Sequence, residues 1–157
     1  MTRYLLEESS GPFLNKKAAH YDISFSCTAI LYSSLDFVDP EVPSSEILRR
    51  IGLGYFGLYL YASEHWPEHL LSFAAENQGL PCGPDDPLKA QILRFIQRHN
   101  QLTDVIDGIS RPDFPDSSDL DIRLKLLSPT PDVKNLVEKV LAFRKCFQKK
   151  QKELGKG

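Results

Sequence analysis

Cysteine is scarce in this chain, which has three cysteines among its 157 residues. Cys27, Cys82 and Cys146 lie far apart, and their number is odd. Disulfide-stapled domains and zinc ribbons need paired cysteines at regular spacing, so the sequence excludes both frameworks. No cysteine lies in a context that marks a nucleophile. We therefore expect reduced thiols with a structural role.

Long apolar runs and a secretory leader are also missing. The longest uncharged apolar run, residues 51–63, is shorter than the roughly 20 residues that a membrane-spanning helix needs. Near the start, Arg3 is soon followed by Glu7 and Glu8 instead of the apolar stretch of a signal peptide. These absences predict a soluble, cytoplasmic protein without membrane contact.

Common phosphate-binding and hydrolase motifs are absent as well. The only Gly-Lys pair, Gly155-Lys156, lies near the end of the sequence, so a Walker A loop is missing. No G-x-S-x-G elbow for a nucleophilic serine occurs either. We predict a protein that is not an enzyme, with no catalytic, cofactor-binding or metal-binding residues and no evident small-molecule substrate.

Charge is distributed unevenly along the chain, whose formal net charge is −2. From Val133 onward, eight Lys/Arg residues and two Glu give a local charge of +6, which leaves −8 for the rest. The tail includes Arg144, Lys145, Lys149, Lys150 and Lys152. A nucleic-acid adaptor acting through this tail is one alternative function. We favour a simpler explanation, because cations stabilise the negative end of a helix dipole and no aromatic residues alternate with these.

Apolar residues recur at helical spacing along most of the chain, which predicts an all-α fold. Residues 19–35 form one amphipathic helix with the stripe Ile23, Cys27, Ile30, Leu31 and Leu35. After a break at 39–43, Ser44 or Ser45 is expected to cap a short helix that begins near Glu46. Gly52 and Gly54 predict a further break, followed by a buried helix over residues 55–66.

Proline and glycine predict where the remaining helices begin and end. Pro67 either kinks a helix or starts a new one, and helix continues to about Asn77, with Gly79 as a stop. Asp86 and Pro87 predict the cap and first residue of a helix with the face Leu88, Ile92, Phe95, Ile96 and His99. A short helix is predicted at Leu120, Leu124 and Leu127. From 131 to about 152 the last helix has the stripe Val133, Leu136, Val137, Val140, Leu141 and Phe147.

The chain length suits one domain with a substantial core. Residues 1–18 are expected to form a linker and residues 19–108 the helical core. A loop rich in Pro, Ser and Asp follows at 109–119, and 120–157 form C-terminal helices with the basic tail. Because no strand pattern of convincing length occurs, the sequence predicts an irregular helical bundle of about five to seven helices.

HWPEH, residues 65–69, matches the H-x-x-E-H motif of inverted zinc proteases. That chemistry needs two histidines on one continuous helical face, a glutamate base and a third ligand. Pro67 disturbs the helix here, and only Glu76 or His99 could be proposed as third ligand. We therefore predict no stoichiometric zinc and expect the motif to pack in the bundle. A metal-dependent hydrolase remains an alternative, and it would use His65, Glu68 and His69.

Gly52, Gly54 and Gly57 match the G-x-G-x-x-G fingerprint of dinucleotide-binding folds. In those folds the glycines follow a hydrophobic strand and open a helix, so that backbone N–H groups face a pyrophosphate. The preceding residues EILRRI are charged and helix-prone, and no β-α-β pattern surrounds them. We interpret the glycines as a helix junction that lets helices approach closely.

The segment LYASEHWPEHLL, residues 60–71, places Tyr61, Ala62, Trp66 and His69 in the pattern Tyr-Ala-x-x-x-Trp-x-x-His. This pattern resembles the helical region downstream of the NACHT and winged-helix modules in fungal NACHT-type, NLR-like proteins. Upstream, RYLLEESSGPF (3–13) and AHYDISFSCTAIL (19–31) resemble the linker and first helix of the same region. The resemblance implies a non-catalytic structural or interaction segment between a nucleotide switch and a sensing or effector region. The family's NTPase activity cannot reside in this chain, which lacks the motif.

Trp66 is expected in the core, because it lies in the densest aromatic stretch of the chain. The aromatic surface of residues 55–66 also exceeds what one short bundle is expected to cover. We therefore expect the chain to self-associate or to bind a neighbouring protein module through helices in residues 19–75.

Overall fold

The computed structural model describes residues 15–81, 83, 86–105 and 121–154. The elements are five α-helices, α1 to α5, and two 3-10 segments: α1 Lys16–Ser34, a 3-10 turn Leu35–Phe37, α2 Ser44–Gly52, α3 Tyr55–Asn77, α4 Pro87–Val105, a 3-10 helix Ile122–Leu127 and α5 Pro131–Leu154. Strands are absent from these described ranges. The all-α fold class is therefore confirmed. Residues 1–14 of the predicted linker 1–18 and the loop at 109–119 lie outside the described residues, and the linker prediction is wrong for residues 16–18, which already belong to α1.

The start of α4 follows the sequence prediction. Pro87 is the first helical residue, and the Asp86 Oδ1 atom accepts a hydrogen bond from the Lys89 N–H at 3.0 Å. The Tyr21 hydroxyl donates to Asp86 Oδ2 and accepts from the Leu88 N–H, both at 3.3 Å. The cap of α4 is thus also a connection to α1.

The start of α2 differs from the prediction that a serine caps it. Ser44 is already helical, and the preceding Pro43 has an extended backbone with no side-chain cap hydrogen bond. Pro43 cannot cap because it has no side-chain acceptor. The Glu46 carboxylate lies in the first turn, where negative charge is favourable, and it accepts hydrogen bonds from Arg49 and Arg50.

Helix α3 runs through Pro67 without ending, so the option of a new helix at Pro67 is wrong. The helix ends at Asn77 because Gln78 takes the left-handed conformation, with φ of 58°. The Gly79 N–H then donates to the Ala74 carbonyl at 2.8 Å, which satisfies a terminal acceptor. The stop predicted at Gly79 therefore falls one residue earlier, on a non-glycine residue.

The core lies where α1 and the C-terminal half of α3 meet α4, α5 and the second 3-10 helix. Helices α1 and α3 are antiparallel: Lys16 pairs with Glu76, and the rings of Tyr21 and Phe73 meet edge to face at 5.3 Å. Trp66 is 3% exposed, which confirms its predicted core position. Large side chains with no exposed surface come from α3, α4, the second 3-10 helix and α5: Leu70, Leu88, Ile92, Leu127, Val133 and Val137.

Two predicted apolar stripes are buried over only part of their length. On α4, His99 is exposed although Leu88, Ile92 and Phe95 are buried. On α5, Val133 and Val137 are buried, whereas Phe147 at the far end of the stripe is 52% exposed. Periodicity places these residues on the predicted helical faces. On α4 the face is covered again at Leu102, which is buried, whereas on α5 no described element covers the stripe at Phe147.

Candidate functional site

Helix α3 has a buried half and an exposed half. Along 62–77, the side chains of Ala62, Trp66, Leu70 and Phe73 line the core. The exposed half, residues 55–61, carries Tyr55, Phe56, Leu58, Leu60 and Tyr61 at 39–53% exposure. The prediction of a buried helix over 55–66 is therefore wrong for residues 55–58, 60 and 61, whereas Tyr59 is partly buried.

The core-facing side of α3 continues into the exposed half without a change of residue type. Counting back from Trp66 in steps of three or four residues leads to Ala62, Tyr59 and Tyr55. Tyr59 still packs partly against the core, while Tyr55 is exposed. Leu58 and Tyr61 lie on other sides of the helix and are also exposed, so the exposed half is apolar all round.

The C-terminal half of α5 lies at the same end of the molecule. The Arg144 guanidinium donates a hydrogen bond to the Ser63 carbonyl, which joins the middle of α5 to α3 just beyond the exposed half. On either side of Arg144, the rings of Phe143 and Phe147 stack with centroids 6.3 Å apart and remain about half exposed. Exposed apolar side chains therefore occur on α5 on both sides of the residue that joins it to α3.

Charge in this region comes from α5 and not from α3. Residues 51–63 carry no charged side chain. Within 144–152 of α5, every charged residue is basic, and Lys145 and Lys152 are exposed. Glu64 of α3 and Glu153 of α5 are the nearest acidic positions in sequence. We call 144–152 the basic segment.

The three glycines lie at the junction of two helices, as interpreted from the sequence: Gly52 ends α2, Gly54 lies between the helices, and Gly57 is in the first turn of α3. Gly54 has φ of 86°, a left-handed conformation that separates the two helices. A Cβ atom added at Gly52, Gly54 or Gly57 would meet no atom within 4 Å, so the expected close approach of helices is wrong. Because the glycines follow helix α2 and not a strand, the dinucleotide fingerprint lacks its structural context.

A histidine cluster connects α1 with α3. The Nδ1 atoms of His20 and His69 lie 3.2 Å apart, a hydrogen bond in which one ring donates and the other accepts. The Tyr61 hydroxyl lies 3.2 Å from His69 Nε2, and the Tyr61 ring packs on His65 at 4.7 Å. Burial lowers the pKa of His69, the charges of His20 and His65 lower it further, and Glu68 opposes the shift.

Glu68 points away from this cluster, toward the second 3-10 helix. Its carboxylate accepts two hydrogen bonds from Arg123, at 2.8 and 2.7 Å, and a third from the Ser72 hydroxyl. These contacts, the Arg123 hydrogen bonds above all, lower the pKa of Glu68. Arg123 also pairs with Asp121, the residue that caps the 3-10 helix. Glu68 thus connects α3 to a neighbouring element.

The zinc-protease motif is not assembled as a metal site in the described part of the chain. Since α3 is continuous, the argument that Pro67 breaks the shared face of His65 and His69 is wrong. The motif lacks the geometry of a metal site for another reason. Both ring nitrogens of His69 are hydrogen-bonded, and Glu68 is paired with Arg123. Glu76 pairs with Lys16, and no group of three or more His, Cys, Asp or Glu residues converges among the described residues.

A charged network at the far end of α1 was not apparent from the sequence. Asp36 pairs with both Arg50 of α2 and Arg98 of α4, and Arg98 also reaches Asp39 at 3.1 Å. Beside it lies an open depression of about 330 Å³, lined by Tyr32, Arg94, Gln97, Arg98 and Gln101. The Arg98 guanidinium is already paired, so this network serves to connect three helices. Partners this far apart in sequence carry no local signal.

The described thiols have the structural character expected of them. Cys27 is 2% exposed, and burial raises the pKa of its thiol. Cys146 is free and partly buried. A raised pKa disfavours the thiolate, which is the reactive form. Cys82 lies outside the described residues.

Comparison with protein-family models, with curated proteins and with solved structures gave no match to this chain. Among the helices that the structure describes, none has both the length and the apolar character to cross a bilayer.

Proposed function

We propose that this chain is a non-catalytic helical domain that binds another protein surface through the exposed half of α3. One observation carries the proposal: residues 55–61 are apolar around the whole helix, and their large side chains other than Tyr59 are exposed in the single chain. A helix that is apolar all round is normally buried. The exposed half therefore has the composition of an interior element without the neighbours that an interior element has.

The buried half of the same helix supports this reading. Trp66, Leu70 and Phe73 show how the core-facing side of α3 is used where neighbours are present. A helical interaction surface typically offers anchors at one-turn spacing, which the exposed side chains of Phe56 and Leu60 supply. Large contiguous apolar patches on a soluble protein are typical of interaction sites.

We further propose that the chain occupies the place suggested by its sequence resemblance, the helical region after the NACHT and winged-helix modules of NLR-like proteins. The support is the pattern of Tyr61, Ala62, Trp66 and His69, all on α3. Ala62 and Trp66 are core residues, and Tyr61 and His69 share a hydrogen bond. A cytoplasmic location and a neighbouring module or second copy as partner belong to the same proposal.

The test uses sedimentation velocity over a wide range of protein concentration, with the exposed half altered by Phe56→Glu and Leu60→Glu together. We expect the parent chain to associate as concentration rises, or to bind an added helix with an apolar face. The double variant should lose both properties, because charge on this surface opposes burial. Ile122→Glu is the matched control, since Ile122 is 76% exposed but lies on the second 3-10 helix.

The proposal is wrong if the parent stays monomeric throughout and ignores the added helix. It is also wrong if the double variant and Ile122→Glu reduce association equally. Circular dichroism of each variant must retain the helical spectrum, so that loss of association is not loss of fold.

A further inference from the structure

We infer that the exposed half of α3 and the basic segment of α5 together bind an acidic amphipathic helix of a partner protein. This inference rests on the proposed function and adds the chemical class of the partner. Three features carry it: the apolar anchors on α3, the charge on α5, and the hydrogen bond by which Arg144 joins α5 to α3.

The apolar contribution comes from both helices. Residues 55–61 extend over roughly 10 Å of helix axis at about 1.5 Å per residue. On α5, Phe143 precedes Arg144 and Phe147 follows it, and their two stacked rings are about half exposed. A partner helix that lies along this end can bury anchors at one-turn spacing, which is the usual helix-in-groove arrangement.

The electrostatic contribution has one sign. The basic segment holds five Lys/Arg, and adding Glu64 and Glu153 leaves a local charge of +3. The Arg144 hydrogen bond to the Ser63 carbonyl joins the first residue of the basic segment to α3, two residues after the exposed half ends. Because complementary potential guides association and selects partners, a helix with acidic flanks is favoured here over one with basic flanks.

A second copy of this chain fits the same surface less well. In a two-fold symmetric dimer the same patch is used by both subunits. An interface centred on the exposed half of α3 would therefore bring two basic segments toward each other. Like charges across an interface are unfavourable, whereas an acidic partner removes this repulsion.

The experiment compares two designed helical peptides of about 18 residues, or roughly 27 Å. Both have the same Leu and Phe face, and the flanks are Glu in one and Lys in the other. Fluorescence anisotropy with the full chain should give about tenfold tighter binding of the Glu-flanked peptide at low salt. The ratio should fall toward one at about 1 M salt, where screening acts within about 3 Å.

Charge variants test whether the basic segment causes the preference for the Glu-flanked peptide. Lys145→Glu with Lys152→Glu should abolish the preference for the Glu-flanked peptide while the apolar contribution remains. Lys139→Glu is the matched control, because Lys139 is also exposed on α5 but precedes the basic segment. Phe56→Glu with Leu60→Glu should abolish binding of both peptides.

The outcomes separate the inference from the proposed function. Equal binding of both peptides, or a preference that survives Lys145→Glu with Lys152→Glu, overturns the acidic partner and leaves the interaction surface standing. Association of the chain with itself that excludes both peptides would make a second copy the occupant.

If duplex or single-stranded DNA competes with the Glu-flanked peptide and binds the Phe56→Glu, Leu60→Glu variant normally, the basic segment is a nucleic-acid contact instead. Failure of both peptides to bind, with a monomeric chain, overturns inference and proposed function together.

Discussion

Burial along α3 runs opposite to composition: residues 55–61 are almost entirely apolar and largely exposed, whereas residues 62–77 include three Glu and two His and line the core. In the half that begins at Ala62, α1 lies antiparallel along the helix and the second 3-10 helix is joined through Glu68 and Arg123. In the half from Tyr55 to Tyr61, five large apolar side chains are exposed. The difference teaches that burial along this helix is decided by neighbouring elements and not by the residues of the helix.

Polar side chains show the same contrast. In the buried half, the partly buried His69 pairs with His20 of α1, and the exposed Glu68 pairs with Arg123 of the second 3-10 helix. The exposed half has few polar atoms beyond its tyrosine hydroxyls and no charge. Solvation therefore stabilises the exposed half little, and burial against a further apolar neighbour would be favourable.

The largest difference between the two halves should appear in the free energy of unfolding when one aromatic ring is removed from each. Trp66→Ala should lower the free energy of unfolding by roughly 3–5 kcal/mol, since the cavity it leaves lies in the core. Phe56→Ala should change it by less than about 1 kcal/mol, because the ring is half exposed. Urea denaturation of the two variants measures the difference. Equal losses would show that the exposed half is buried in solution, by self-association or otherwise.

A smaller effect should distinguish two glycines next to the exposed half. Gly57 is helical, and an added Cβ meets nothing within 4 Å, so Gly57→Ala should stabilise by up to about 1 kcal/mol. Gly54 has φ of 86°, so Gly54→Ala should destabilise by about 1 kcal/mol through backbone strain. Thermal unfolding reports both changes. Destabilisation by Gly57→Ala would mean that a close neighbour contacts this turn in solution.

The smallest effect concerns pH and the buried half. The pKa of His69 lies below its ordinary 6.5, so the unfolded chain binds the proton more readily than the folded chain. Stability from this residue is therefore complete above about 6.5 and falls as pH decreases toward the lower folded pKa. His20 and Tyr61 hydrogen-bond to His69, and His65 and Glu68 act on it through their charges.

Replacing His69 by Gln should flatten this loss of stability between pH 7 and pH 5, measured by urea unfolding at each pH. His99→Gln is the control, because His99 is exposed on α4. An unchanged pH profile for His69→Gln, or an equal change in both variants, would contradict the role of the histidine cluster.

Much of the local structure could be predicted from the sequence. Helical periodicity identified the stripes of α1, α4 and α5, and the Asp86-Pro87 pair identified the start of α4. Such signals are local, since a cap or a stripe depends on residues within one or two turns. The αL residue Gln78 was missed because non-glycine residues rarely adopt that conformation. The start of α2 was missed because the helix begins at Ser44, two residues before Glu46, which puts Pro43 and not a serine at the cap position.

The candidate site was predictable in part. The aromatic stretch was identified, but it was expected to be a buried helix, because hydropathy cannot reveal whether another element arrives to cover it. The relation of the exposed half to the basic segment depends on Arg144 and Ser63, residues 81 positions apart. Glu68, identified as a possible base, pairs with Arg123, 55 positions away.

The sequence alone determined that this chain is helical, where most helices begin, and which side of each helix is apolar, because these properties follow from the spacing and chemistry of neighbouring residues. Only the tertiary structure decided how far each apolar side is covered. Coverage depends on the lengths and crossing of separate elements, so Trp66 became core and Phe56 remained exposed on the same helix. The same long-range packing turned His69 toward His20 and Glu68 toward Arg123, which no local pattern specifies.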